Sequence, residues 1–295
     1  MPTLKEQQVQ AFTNARGMYE GRYAVLLTQH GKEAIIGSVL PAAIGCRVVR
    51  VDSFDTDQLG TFTRDIPRLG SQLETARRKA RISMNLTSSP LGLASEGAFV
   101  PDPYTGFLPW NIELVVFIDD DKGLEVVGFG RGPAKSGHRA VGSWEELKSF
   151  AEEANFPSHH LVVRPNDEHD ARICKGISDW AALEEAYEYA AKLAGNGVVF
   201  VENDLRAYCN PTRQEIIRAA ADNLAKKLQS SCPHCGGPGY WITSTVAGLP
   251  CRMCASSTRE PAANIWSCRH CKHSEEKRRL DATHADPSRC DWCNP

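Results

Sequence analysis

The chain has 295 residues, 42% of them hydrophobic and 24% charged, the balance of an ordinary folded protein with room for two domains. A formal net charge of −2 excludes a general polyanion binder and gives no attraction to an anionic membrane surface. No stretch reaches the roughly 18 uninterrupted apolar residues of a membrane span, and the start, MPTLKEQQVQAF, has no apolar leader core, so a cytoplasmic protein with no membrane partner is expected.

The first apolar run, 23–28 (YAVLLT), predicts a strand. It leads into Thr28-Gln29-His30-Gly31-Lys32, and a helical pattern follows over 32–45. A strand, a small polar loop with a lysine and a helix N-terminus recur in phosphate sites, because free N–H groups and the ammonium face the anion. The loop is not a P-loop, since G-x-x-x-x-G-K-[ST] is absent. A second strand is expected at 47–52 and a helix at 71–86, where Ser71 and Glu74 fit a capping box. On that helix Leu73, Ala76, Ala80 and Met84 share the apolar face, while Glu74, Arg78 and Arg81 lie opposite, flanked by Arg77 and Lys79. PLGLASEGAF, residues 90–99, predicts a short buried strand over 91–95 that ends in a turn carrying Glu96 between Ser95 and Gly97. Strands at 112–119 and 124–130, joined by Asp119-Asp120-Asp121-Lys122-Gly123, predict an antiparallel hairpin and hence a mixed sheet.

The segment GRGPAKSGHRA brings Lys135, His138 and Arg139 into a glycine-rich loop; no helix follows its glycines, which excludes a dinucleotide fingerprint. A helix at 143–155, a strand at 160–164, a polar loop at 165–173, a helix at 178–194, a strand at 198–202 and a helix at 211–229 complete this part. In VVFVENDLRAYCNPTR, Asp204 and Arg206 stand at the C-terminal edge of a strand, where ligand crevices form in layered folds. The other reading is an ion pair of Asp204 with Arg206 or Arg213 that pins the turn. Strands alternating with helices give an α/β fold, a mixed sheet in αβα layers over residues 1–229, followed by a small cysteine-rich domain at 230–295.

Eight of the eleven cysteines form four C-x-x-C pairs in that last domain: Cys232/Cys235, Cys251/Cys254, Cys268/Cys271 and Cys290/Cys293. Tetrahedral zinc takes four soft ligands, two from each such knuckle, so two structural zinc sites in a ribbon module are expected. Sequential pairing and an interleaved cross-brace use the same cysteines, and the spacing leaves both open. From residue 229 onward eight Lys/Arg face six Asp/Glu, which is no basic footprint; a protein or RNA partner for the ribbons stays open, as does the oligomeric state.

In order along the chain, T-x-H-G-K after the first strand, E-T-A-x-x-K-A on a helix (Glu74 to Ala80), PLGLASEGAF, then Phe107, Trp110 and a strand ending at Asp119 resemble the house-cleaning nucleoside triphosphate pyrophosphatases, the inosine/xanthosine triphosphatase group. The likeness spans about residues 20–120. It implies a small-molecule nucleotide as ligand, with Thr28 and His30 beside the triphosphate, Lys32 and Lys79 stabilising charge, and Glu96 holding Mg²⁺ as catalytic acid of the turn. Glu74, Ser95 and Gly97 would line the pocket, Asp204 and Arg206 its rim, and His138 and Arg139 would echo the family's Ser-His-Arg element. Asp65 falls roughly where a second acid would stand. The sequence departs from the pattern: Lys32 comes one residue early, His30 replaces Asn, and the paired acids of D-D-[ST]-G are Ala94 and Ser95. The whole chain is similar to an uncharacterised bacterial family that joins this domain to zinc knuckles. Two functions follow: an Mg²⁺-dependent nucleoside triphosphate pyrophosphohydrolase or related phosphoanhydride hydrolase, or a non-catalytic zinc-ribbon adaptor with a degenerate nucleotide pocket.

Overall fold

Two sheets and a ribbon succeed one another along the chain in the computed structural model, which describes residues 17–59 and 70–295. The first sheet has β1 (Tyr23–Leu27), β2 (Arg47–Val51), β3 (Leu91–Pro101), β4 (Pro109–Asp119) and β5 (Leu124–Pro133) in the order β2-β1-β3-β4-β5. β1 runs parallel to β2 and β3, and β3, β4 and β5 form an antiparallel meander, so the sheet is mixed as expected. Helices α1 (Lys32–Ile44) and α5 (Pro211–Gln229) pack on one face and α2 (Gln72–Thr87) on the other. The alternation of strand side chains divides the core accordingly. Leu26, Leu91, Leu93, Val115 and Phe117 meet Ile36 and Leu40 of α1 and Ile217 and Leu224 of α5. Val25, Leu27, Ala94, Leu114 and Val116 meet Ala76, Ala80 and Met84 of α2.

Local chemistry accounts for the helix ends. Ser71 and Glu74 form the expected capping box on α2, and Asn210 caps α5 ahead of Pro211. Gly31 and Gly45, both with φ in the left-handed region (73° and 76°), flank α1. α5 lies so close over β5 that a Cβ on Gly128 would stand 2.3 Å from the Ala220 carbonyl oxygen.

One expectation fails here. The strand of PLGLASEGAF does not end at Ser95; it continues to Pro101, in unbroken register with β4 from Leu91↔Asp119 to Pro101↔Pro109. Glu96 is therefore a mid-strand residue opposite Leu114, and the acidic turn does not exist.

Residues 138–203 build a second, antiparallel sheet that the sequence reading had folded into the first. Its strands are β6 (His138–Val141), β7 (Leu161–Pro165), β8 (Cys174–Ile177) and β9 (Val199–Asn203), in the order β6-β9-β7-β8. Its core joins these strands to α3 (Trp144–Glu153) and α4 (Trp180–Leu193) through Leu147, Phe150, Leu161, Val163, Leu183 and Val201. The ribbon is a three-stranded antiparallel sheet of β10 (Trp241–Ala247), β11 (Pro261–Ser267) and β12 (Ser274–Arg278). No helix among the described residues is long and apolar enough to cross a membrane.

Candidate functional site

β1 stops early. It pairs with β3 only at Val25↔Gly92 and Leu26↔Leu93, so β3 projects past it from Ala94 onward. The chain leaves β1 toward β2 through α1 on one face and returns to β3 through α2 on the other. This is a switch point, the place where ligand crevices form in open α/β sheets.

Lys32, the first residue of α1, is buried against β3 at that point. It is 7% exposed, and its ammonium donates to the Ser95 carbonyl (3.2 Å) and to Ser95 Oγ (3.4 Å), with Glu113 Oε2 3.9 Å away. Burial pulls its pKa down to about 8, against the opposing pull of Glu113. Glu113 is wholly buried; its Oε1 accepts from Arg213 Nε (2.7 Å) and Asn111 Nδ2 (3.2 Å). Burial opposes ionisation there, but Arg213 and Lys32 prevail and hold the carboxyl below the usual glutamate range. Arg213, itself 1% exposed, also donates to the Leu205 carbonyl. Gly97 leaves room for this pair: a Cβ would fall 2.1 Å from Glu113 Oε1 and 2.6 Å from Arg213 Nη2.

Across the sheet, on the α2 face, Glu96 Oε2 pairs with Lys79 Nζ at 2.7 Å, both side chains largely buried. Gln72 Nε2 ties the two strands together by donating to the carbonyls of Glu96 (2.7 Å) and Ile112 (2.9 Å). Just before Lys32 in the chain, the His30 ring stacks on Tyr208 with centroids 6.2 Å apart, and the Arg206 guanidinium lies 4.9 Å from the Tyr208 ring centroid. Thr28 Oγ1 accepts from the His30 amide at 3.4 Å.

The structure thus gathers Thr28, His30, Lys32, Ser95, Glu96 and Lys79 around the end of β1, with Arg206 joined through Tyr208. Other expected residues are otherwise engaged. Glu74 Oε2 accepts from the amide and hydroxyl of Ser71. Asp204 pairs with Arg206 (2.5 Å) and accepts from the Gly176 amide, which is the turn-pinning arrangement. His138 stacks on Phe200, and Arg139 pairs with Glu153, both on strand β6 of the second sheet. Asp65 lies outside the described residues. Sequence reasoning missed Glu113, Asn111, Gln72 and Tyr208, and it weighed Arg213 as a partner of Asp204, whereas Arg213 pairs with Glu113 and Asp204 with Arg206. One signal was available: Glu113 sits at a core-facing position of the otherwise apolar IELVVF strand.

The cysteines form two sets, Cys232, Cys235, Cys268 and Cys271, and Cys251, Cys254, Cys290 and Cys293, with the sulfurs of each set within 4.8 Å of one another. The pairing is interleaved, and strand direction explains it. Each ribbon strand carries the chain from one end of the sheet to the other, so the first and third knuckles share one end and the second and fourth the other. Sequential pairing would have to join the two ends of the seven-residue β10, roughly 20 Å apart. Cross-knuckle sulfur separations are 3.6–3.8 Å. Four thiolates about 2.3 Å from a tetrahedral zinc ion would stand about 3.8 Å apart, so the donor set fits a metal ion. Within each set the sulfurs hold their protons unevenly: the hydroxyl and amide of Ser256 lower Cys254 to about 6 and the His273 amide lowers Cys271 to about 6, while the neighbouring sulfurs push Cys293 up to about 12 and, with burial and against the Gly237 amide, Cys235 likewise.

An α/β protein with a buried charged cluster at its switch point and two four-cysteine clusters is the class these features define. A domain of unknown function, DUF6671, matches residues 79–295, and the chain belongs to that family. No curated protein matches it.

Proposed function

We propose that the crevice at the end of β1 binds a phosphorylated small molecule of the nucleotide class, and that the C-terminal module is a ribbon folded on two structural zinc ions. The observation that carries the first part is Lys32: a buried ammonium at the N-terminus of a helix whose cap residue, Gly31, supplies no side-chain acceptor. Placing a lysine there costs stability, and a phosphate oxygen approaching the same helix end would replace the lost hydration. His30 and Arg206, both against Tyr208, supply a further stacking ring and a further positive group nearby. For the ribbon, the thiolate sets and their spacing support zinc as the ion, and with a core of little more than Tyr240 and Trp266 against Cys232 and Cys268, metal binding would provide much of the folding energy.

Of the two functions, the non-catalytic adaptor is the better supported. Hydrolysis of a phosphoanhydride through Mg²⁺ needs carboxylate oxygens free for the cation. Here Glu96 is paired with Lys79 and Glu113 with Arg213, and among the described residues the groups dense enough in ligands to hold a metal are the two cysteine sets. A thermal-shift panel of nucleoside mono-, di- and triphosphates, including inosine and xanthosine triphosphates, tests the reading. Saturating ligand at about 100 times Kd should add about 2.7 kcal/mol of stability to the wild type, with a clearly smaller gain for Lys32→Met. No shift with any nucleotide, or an equal shift in the variant, removes the proposal. Pyrophosphate released with Mg²⁺ or Mn²⁺ and lost in Glu96→Gln would restore the hydrolase.

A further inference from the structure

A second crevice lies away from the first, between the β5 edge of the α/β domain and the β10 edge of the ribbon. It encloses about 410 Å³, and its lining includes Lys227, Arg269, Lys272, Phe129 and Trp241. Among the described residues both flanking strands are sheet edges, since β5 pairs only with β4 and β10 only with β11. Exposed edges invite a strand from another chain, but α5 closes this one: Lys227 Nζ donates to the Val127 carbonyl (2.7 Å) and the Phe129 amide donates to Asn223 Oδ1 (3.0 Å). The groove therefore does not present a free ladder for peptide addition along Val127–Phe129. What it presents is charge and ring faces.

The one acid in the lining, Glu125, is held by Arg77 in a bidentate pair of 2.8 and 2.7 Å. The three remaining cations have no carboxylate partner among the described residues. Lys227 has the Val127 carbonyl and the Phe129 ring, whose centroid lies 5.3 Å from Nζ; Lys272 has the Arg269 carbonyl; the Arg269 guanidinium makes no ion pair. Burial, with no anion to oppose it, lowers Lys227 below the ordinary lysine value. Phe129 is 49% exposed, and Trp241, half-buried with its ring against Trp266 (centroids 5.6 Å apart), keeps part of its surface uncovered, so each wall offers some ring surface beside those charges. Arg269 and Lys272 belong to the third zinc knuckle and its next residue, which fixes their place relative to the groove once metal is bound.

We infer that this groove binds single-stranded nucleic acid, with phosphates on Lys227, Arg269 and Lys272 and bases stacked against Phe129 and Trp241. The combination of cations and open ring faces is what a single strand requires, because every base has a stacking face and every linkage a charge. An acidic peptide would satisfy the cations but leave the rings uncovered. The formal charge of −2 for the whole chain is no obstacle, since the footprint is three local charges and not a general field. The inference names the partner and surface of the adaptor; it rests on that reading for the metal-loaded ribbon and is independent of the nucleotide crevice at Lys32.

The test uses the full-length, zinc-loaded protein and fluorescein-labelled oligouridylate and oligothymidylate of about twelve nucleotides, read by anisotropy. Saturable binding is expected, with log K falling against log salt at a slope of about −2, the value for three phosphate contacts on a single strand. Arg269→Glu with Lys272→Glu should weaken binding at least about tenfold, and Phe129→Ala about fivefold or more, while metal content and far-ultraviolet circular dichroism stay at wild-type values. Absence of binding at about 50 mM salt, or binding unchanged by the double charge reversal, overturns the inference. Equal displacement by polyglutamate overturns it in favour of an acidic protein partner. The nucleotide thermal shift should persist in the double variant, so failure here is distinguishable from failure at Lys32.

Discussion

Replacing Lys32 by methionine should make the protein more stable. A lysine held at about 8 in place of 10.5 carries roughly 3 kcal/mol of disfavoured charge at neutral pH, a figure that already includes its attraction to Glu113. Methionine has nearly the same shape and no charge to desolvate. Against the gain stands the Ser95 carbonyl, which loses its donor at a cost of about 1 kcal/mol. The net expectation is about 2 kcal/mol of added stability at pH 7, or roughly 4–8 °C in Tm for a domain of this size. The sign of the pH dependence follows from the depressed pKa. Between about 8 and 10.5 the unfolded lysine binds more protons than the folded one, so wild-type stability rises with pH across that window. The advantage of Lys32→Met should therefore be full below pH 8 and fade as pH climbs toward 10.5. Urea unfolding of both proteins across that range is the measurement, and taking the difference between them cancels titrations they share. A variant less stable than wild type at pH 7 would show that Lys32 is a structural counter-ion for Glu113, and the argument for a ligand at that ammonium would fall with it.

Two further predictions rest on other parts of the structure. The double variant Cys232→Ser with Cys268→Ser should lose one metal equivalent and keep the other, because both cysteines serve the same cluster; sequential pairing would cost both, and metal analysis by mass spectrometry separates the two. Arg213→Met should destabilise by about 3–5 kcal/mol because Glu113 is left buried with Lys32, 3.9 Å away, as its remaining charged partner beside the Asn111 amide, and adding Glu113→Leu should recover much of that loss; denaturant unfolding giving additive losses would mean that the pair is not coupled.

Where the sequence was readable, a local rule decided the outcome. Ser71 with Glu74, Asn210 with Pro211 and the Asp119–Gly123 hairpin each follow from residues a few positions apart. The cysteine sets were legible as ligands for the same reason. Their interleaved pairing was not, because it depends on strand direction and not on spacing. β6 and β8 escaped because they are four residues each, and the sequences HRAV and CKGI have too little apolar alternation to stand out. The strand–loop–helix pattern put Lys32 at the start of a helix, where α1 begins, but its partner Glu113 and the Arg213 that neutralises it lie 100 residues apart from each other. No short-range signal links them.

The largest misreading concerned Glu96, and the corrected register carries a chemical consequence. As a turn residue Glu96 would have been free to meet an acid from any direction. As a mid-strand residue its direction is fixed by the two-residue period: Leu91 and Leu93 belong to the α1–α5 face, Ala94 to the α2 face, and Glu96 follows Ala94. Glu113 lies opposite Gly97 and follows Val115 and Phe117 onto the α1–α5 face. Glu96 and Glu113 therefore point to opposite sides of the sheet. A second acid for Glu96 from β4 would have to stand at position 112 or 114, which are Ile112 and Leu114. From α2 the residues that reach it are Gln72, on its backbone, and Lys79, on its carboxylate. The β3–β4 pair and α2 together offer one carboxylate and one ammonium on that face, an arrangement suited to fixing a neutral wall behind an anion and unsuited to gripping a divalent cation.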